Sequence, residues 1–493
     1  MGNAAFMIQG CGSDVGKSVL VAGLCRLFTN RGVRVRPFKS QNMSNNAAVV
    51  EGGGEIGRAQ ALQAQACRTK PSVDMNPVLL KPQSDVGAQL IVRGRMMGTL
   101  DASAHGQDKK ALLDIALQSY RSLADDAQLV IVEGAGSPAE TNLRRNDIAN
   151  MGLARALELP VVLVGDINRG HVIASLVGAH VVLDAADRAM IRGFIVNKFR
   201  GRVQLFDDGV RQINELTRWH CFGVVPWLHA ASRLPSEDGM QLQDLRGARN
   251  SNSCVRIVVP QLSRIANFDD FDPLFQEPDV ELLFVPPGRP LPADATWIII
   301  PGTKATIADM KFMRSQGWDI DILAHVRRGG RVLGICGGYQ MLGTRISDPD
   351  GVEGLPSTVP GLGLLDVETV MTGDKMLREV SGVVLGGAGG DGAAFSGYEM
   401  HVGSTTGPGT QRPFLRFGDG SAEGAVSADG RLAGCYVHGL FGVTAARAAL
   451  LAAVGVTASQ AEHATRVDTA LDEIAKVLEG CLDVGGLATM AGL

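Results

Sequence analysis

The stretch Gly334-Ile-Cys-Gly-Gly-Tyr-Gln-Met-Leu-Gly343 follows the run Arg331-Val332-Leu333 and places Cys336 between a strand and the glycine-rich start of a helix. A cysteine on such a turn exposes its sulfur. The N–H groups at the helix start favour the thiolate and can hold an oxyanion. This is the layout of a nucleophile elbow built with Cys in place of Ser, and it implies an α/β fold in which a strand feeds directly into a helix. The competing reading, a small buried thiol, does not account for glycines on both sides of the cysteine.

Outward from Cys336 the α/β pattern continues. Apolar runs at Cys254–Pro260, Asp279–Val285, Trp297–Pro301, Arg331–Ile335 and Gly434–His438 read as strands of one sheet. A thiol nucleophile needs a base, and His438, at the end of Gly434-Cys-Tyr-Val-His438, is the best placed; His401 in Gly397-Tyr-Glu-Met-His401 is the competitor. The glycine-rich region between about 345 and 430, including Gly382–Gly397, has no clear pattern.

The first half reads as a separate parallel sheet, with strands at Ala5–Gln9, Val33–Pro37, Leu129–Glu133, Val161–Gly165 and Ile191–Asn197 and helices between them. Gly10-Cys-Gly-Ser-Asp-Val-Gly-Lys-Ser18 follows its first strand and opens a helix over Val19–Phe28. Glycines let backbone wrap round phosphate oxygens, Lys17 can reach the β- and γ-phosphates, and the Ser18 hydroxyl suits Mg²⁺. Glu133 ends an apolar strand, where a carboxylate can serve as a second Mg²⁺ ligand. Asp166 ends the next one, as metal-shell acid or ordinary strand end. A polar stretch from Ser232 to Ser253 separates the halves.

Expected boundaries are therefore 1–230 for an ATP-dependent P-loop domain, 231–253 for a linker, 254–445 for the cysteine domain and 446–493 for a helical C-terminal tail with apolar spacing at Val467, Ala470, Leu471, Ile474, Val477 and Leu478. A length of 493 residues requires such division. The eight cysteines show no paired spacing, which points away from disulfides and zinc and toward a cytoplasmic setting. The net charge of −4 opposes nonspecific nucleic-acid binding. No signal peptide or apolar run of about 18 residues is evident, so no membrane partner is expected.

Two resemblances follow from these motifs. The phosphate loop, with Asp14 two residues before Gly16-Lys17, resembles the dethiobiotin synthetase group of P-loop proteins, in which ATP activates a carboxylate. That implies nucleotide contacts from Gly12, Ser13, Asp14, Gly16, Lys17 and Ser18, a base contact from Asn197 in Asn197-Lys198, and Mg²⁺ on Ser18 and Glu133. Gly334–Gly343, Pro301-Gly-Thr-Lys304 and Tyr436-Val-His-Gly439 resemble a class I glutamine amidotransferase domain, a flavodoxin-like fold. There Cys336 would attack the glutamine amide, His438 would be its base, and the N–H groups of Gly302 and Gly337 would form the oxyanion hole. The acid usually found two residues after the histidine is Leu440 here, which implies a Cys–His dyad.

The two halves together resemble the cobalamin-pathway amidotransferases over nearly the whole chain. Pro37-Phe-Lys-Ser-Gln-Asn-Met-Ser-Asn-Asn46, Gly57-Arg-Ala-Gln60, Asn76–Gln83 and Glu133–Glu140 resemble the branch that amidates the b, d, e and g carboxylates of a corrin a,c-diamide, rather than the sister a,c-diamide synthases. By that resemblance glutamine supplies ammonia and a corrinoid is the acceptor. Gln41, Asn42, Asn46 and Lys81 would lie on its corrinoid or phosphate side.

Overall fold

The computed structural model describes residues 3–82, 87–101, 109–235, 255–385 and 392–493. Gln83, Cys254, most of the expected linker and the middle of Gly382–Gly397 lie outside the described residues. The chain forms two compact units of interleaved sequence: Met1–Ser44, Gly54–Pro235 and Val467–Leu493 make the first, and Asn45–Gly53 with Ser236–Arg466 the second. Among the described residues no helix is long and apolar enough to cross a membrane.

The first unit is built on a six-stranded parallel sheet in the order His220–Pro226, Ile191–Phe199, Val161–Asp166, Ala4–Gly10, Leu129–Glu133, Val35–Phe38. Its central strands are buried along their full length, which explains their unbroken apolar runs. Alternate residues serve opposite faces: Phe6 and Ile8 join one core, Ala5 and Met7 the other. Parallel strands all end on one edge, so Gly10, Glu133, Asp166 and Asn197 come together there. A four-stranded sheet, Gln41–Met43, Val78–Pro82, Gly87–Val92 and Arg95–Asp101, is added beside it.

The C-terminal segment is helical, as its spacing predicts, and it completes this unit. Val467, Ala470, Leu471, Ile474 and Leu478 are buried in the same core as Leu20, Leu24 and Leu27 of the helix Lys17–Asn30, while Val477 faces outward. Gly23 permits the approach: a Cβ there would fall 2.6 Å from Ile474 Cγ2 and from Leu478 Cδ1. Arg26, only 2% exposed, pairs with Asp468 and lies 3.6 Å from Asp472. Gly23→Leu should therefore overpack this contact and lower stability by about 1–3 kcal/mol, read as a drop in the thermal unfolding midpoint.

The second unit contains a core sheet in the order Val280–Val285, Val255–Pro260, Trp297–Ile300, Arg331–Ile335, Leu432–Cys435, all parallel, with Ala425–Val426 antiparallel at the edge. This is the flavodoxin-like order. The run read as one strand, Gly434–His438, is divided at Tyr436. Leu432–Cys435 stays in the core sheet, and Val437–His438 pairs with Ala394–Thr406 in a second sheet built from the region that lacked a pattern. Ile335 is in register with Cys435, so Cys336 and His438 leave the core sheet at the same end. Asn45–Gly53 belongs here as well, contributing the buried strand Ala47–Val50.

Candidate active sites

In the first unit, Gly16 at φ 92° and Asp14 at φ 57° turn the loop into the helix Lys17–Asn30. The loop is too tight for side chains at its base: a Cβ on Gly10 would lie 2.6 Å from Val15 Cγ2 and 2.9 Å from Lys17 Nζ. Lys17 Nζ donates to the carbonyls of Gly12 at 3.0 Å and Gly136 at 3.1 Å, which holds it over the loop. Ser18 Oγ donates to Glu133 Oε1 at 2.8 Å.

Two residues without an assigned role in the sequence reading complete this cluster. Lys39 Nζ donates to Glu133 Oε1 at 2.8 Å, and Gln63 Nε2 to Oε2 at 2.5 Å. Glu133 is wholly buried, so these partners offset the desolvation of its carboxylate. Lys39 lies in the stretch Pro37–Asn46, but nothing in its local pattern marks its distant partner. Asn197 Nδ2 donates to Val15 O at 2.8 Å and braces the loop, while its buried Oδ1 has no hydrogen-bond partner among the described residues. Lys198 bonds Asp14 O and lies 3.1 Å from Asp166 Oδ2; Arg169 approaches Asp14 at 3.3 Å.

The remaining candidates divide between the units. Gln41 is half-buried, with Oε1 3.4 Å from Lys109 Nζ. Asn42 is buried and donates to Gln60 Oε1 at 3.0 Å; Lys81, 2% exposed, pairs with Glu55 at 2.5 Å. Asn46 falls in the second unit, where its Oδ1 accepts from Phe268 N at 3.3 Å.

The second unit brings Cys336, His438, Gly302 and Gly337 together. Cys336 adopts φ 52°, ψ −112°, a strained conformation for a residue with a Cβ, and its N–H donates to Cys435 O at 2.8 Å. Gly334 and Gly338 make the elbow possible, since a Cβ on Gly334 would lie 2.5 Å from Gly338 O. Cys336 Sγ lies 3.5 Å from Met400 O, and Cys336 is near enough to His438 to help raise the imidazole pKa. Positions of the two oxyanion candidates are close: a Cβ on Gly302 would stand 3.0 Å from His438 Cε1, and one on Gly337 2.6 Å from Thr303 Cγ2. His401 instead stacks on Tyr436 with ring centroids 3.6 Å apart.

The dyad expectation is corrected here. Leu440 is a buried core residue, and the carboxylate comes from Asp270, 168 positions before His438 in the chain. Asp270 Oδ2 lies 2.7 Å from His438 Nδ1, and its Oδ1 accepts from Gly439 N at 2.6 Å. Both side chains are buried, at 2% and 1% exposure. Burial works to lower the His438 imidazole, but the Asp270 charge and hydrogen bond, together with Cys336, outweigh it and push the pKa up to about 10. Asp270 and Cys336 therefore favour a second proton on His438.

The fold and the two clusters define a class: a P-loop nucleotide-binding unit joined with a glutamine amidotransferase unit carrying a Cys–His–Asp set. Comparison with known proteins agrees. Residues 6–241 match the CobQ/CobB/MinD/ParA nucleotide binding domain, and residues 256–446 the CobB/CobQ-like glutamine amidotransferase domain. The chain is 64% identical to the cobyric acid synthase of Caulobacter sp. (strain K31), covering 99% of this chain and 100% of that one. It is 60% identical to that of Methylorubrum populi, covering 98% of each, and 56% identical to that of Brucella suis biovar 1, covering 99% of each. The chain belongs to the cobyric acid synthase family.

Proposed function

We propose that this chain uses glutamine and ATP to amidate the b, d, e and g carboxylates of adenosylcobyrinic acid a,c-diamide, giving cobyric acid through acyl-phosphate intermediates. What carries the reading is the presence of a complete phosphate loop with Glu133 and a complete Cys336–His438–Asp270 set in a chain 64% identical, end to end, to a cobyric acid synthase.

Cys336 attacks the glutamine carboxamide, and the N–H groups of Gly302 and Gly337 hold the developing oxyanion. His438 protonates the departing ammonia and then, as base, draws a proton from the water that releases glutamate. Ammonia is consumed at the phosphate-loop unit, where ATP converts an unreactive carboxylate into one with a phosphate leaving group. Here Lys17 and the loop N–H groups neutralise phosphate charge, and Asn197 Oδ1 suits an adenine amino group. A single carboxylate and a hydroxyl, Glu133 and Ser18, fit Mg²⁺, an oxygen-seeking ion that retains waters and binds with substrate phosphates. When bound, Mg²⁺ would neutralise phosphate charge. Among the described residues no group of three or more His, Cys, Asp or Glu could hold a metal, so a cage made wholly of protein ligands is not the model for this site.

The test is mass spectrometry of the corrinoid after incubation with the full chain, ATP, Mg²⁺ and glutamine. Four successive carboxylate-to-amide conversions are expected; an unchanged a,c-diamide would refute the proposal. Glu133→Gln should slow amidation by about 10²-fold or more with either glutamine or ammonia, because the metal's charge stabilisation is worth several kcal/mol. Initial rates with the two nitrogen sources check this.

A further inference from the structure

Asn267 lies between the catalytic histidine and a segment borrowed from the other half of the sequence. It is buried, at φ 51°, and its Nδ2 lies 3.3 Å from His438 Nε2. Its Oδ1 accepts from the backbone N–H of Ala47 at 3.3 Å. Ala47 belongs to Asn45–Gly53, which enters from Ser44 and returns to Gly54, both in the phosphate-loop unit. Two further bonds seat the segment: Phe268 N donates to Asn46 Oδ1 at 3.3 Å, and Tyr398 Oη to Ala47 O at 3.4 Å. The Tyr398 ring stacks on His438, with centroids 5.3 Å apart.

These contacts fix which way the Asn267 amide faces. A peptide N–H is only a donor, so the atom opposite Ala47 must be the oxygen, and the amide N–H₂ must face His438. Nε2 is then held as an acceptor, the form it has in a neutral imidazole whose Nδ1–H is given to Asp270. Cys336 must place its proton on that same lone pair to become a thiolate. The titratable groups facing the ring oppose Asn267: Asp270 and Cys336 favour the imidazolium, and the Tyr398 hydroxyl is directed to Ala47.

We propose that Asn267 is a positioning residue that restrains proton transfer from Cys336 to His438 while Asn45–Gly53 is seated, and that displacement of this segment frees the amide to turn its oxygen toward Nε2. Glutamine hydrolysis is then restrained until the chain on either side of the segment, Lys39–Asn42 and Gly54–Gly57, responds to its substrates. The inference rests on the amidotransferase reading given above.

The experiment measures glutamate release by the full chain with and without ATP, Mg²⁺ and the corrin a,c-diamide. Asn267→Gly removes the amide and suits the positive φ, while Ala47→Pro removes the donor that orients it. Each should raise unloaded hydrolysis roughly fivefold, the factor one ordinary hydrogen bond is worth, and so reduce the stimulation by substrates. The acid limb of the glutaminase pH profile should move to lower pH in Asn267→Gly, because the thiolate–imidazolium pair forms more readily. A merely structural role would lower activity without that shift. Lower unloaded hydrolysis in Asn267→Gly, or an unchanged stimulation ratio, would overturn the proposal. Should Ala47→Pro fail to fold, Asn267→Asp decides: its second carboxylate oxygen would draw the proton onto Nε2 and raise unloaded hydrolysis further, and a fall would count against the restraint. If the wild-type chain releases no glutamate under any condition, the amidotransferase reading fails; if it does so with a ratio untouched by these variants, only the restraint fails.

Discussion

Cys336→Ala is expected to reduce glutamine-driven amidation by at least about 10³-fold while ammonia-driven amidation stays within about twofold of wild type. The substitution removes one sulfur atom and little else. Cys336 already carries a Cβ at φ 52°, so alanine adds no strain to the elbow, and the backbone bond from its N–H to Cys435 O at 2.8 Å is kept. The sulfur's contacts with His438 and the Met400 carbonyl are confined to the second unit. Lys17, Ser18 and Glu133, the residues proposed to prepare the carboxylate for attack, belong to the first. An electrophilic glutamine analogue should label the wild-type chain at Cys336 and leave the variant unlabelled. Loss of ammonia-driven amidation in a folded variant would mean that the two chemistries do not occupy separate sites.

What could be read in the sequence follows the range over which each feature is encoded. The phosphate loop is local: strand, glycine turn, Lys17, Ser18 and helix are consecutive, and all take the expected form. Cys336, Gly302 and His438 each sit in a short glycine-bounded motif, so candidates for the nucleophile and base could be named without knowing the sheet order. Asp270 could not. It lies in a 3₁₀ turn, Phe268-Asp-Asp-Phe271, whose only local signal is a pair of acids between aromatic residues. That pattern suits a cap as well as a catalytic partner. Sheet topology alone brings it to His438.

The C-terminal helix illustrates the same division. Its periodicity identifies Ala470, Leu471, Ile474 and Leu478 as a buried face, and periodicity carries no information about the surface that face covers. Glu133 was legible as a strand-end acid, but its partners Lys39 and Gln63 arrive from separate elements. The long strands Glu368–Val384 and Ala394–Thr406 were hidden by glycine and by half-exposed faces that blur the alternation. Asn46 read as a polar loop residue of the first half, yet its Oδ1 accepts from Phe268 N in the second.

Asp270→Asn should lower glutamine-driven kcat/KM by about 10²- to 10⁴-fold and spare ammonia-driven amidation. The asparagine oxygen can keep the bond from Gly439 N, now 2.6 Å from Asp270 Oδ1, so the backbone after His438 stays in place. The other atom becomes an N–H₂ group facing Nδ1 at the 2.7 Å position. It would force Nδ1 to accept and move the imidazole proton to Nε2. A neutral ring in that tautomer has no lone pair for the Cys336 proton. The charge effect acts in the same direction: without Asp270, burial pulls His438 down from its raised value of about 10, so the ring gives up its second proton more readily. The alkaline limb of the glutaminase profile, where His438 ceases to be available as the acid that protonates ammonia, should therefore move to lower pH. Asp270→Glu, which keeps the charge, should restore that limb in part even where its longer side chain fits poorly. A true Cys–His dyad would show neither the shift nor the rescue, so the pH profiles of the two variants decide whether Asp270 supplies the acid that Leu440 cannot.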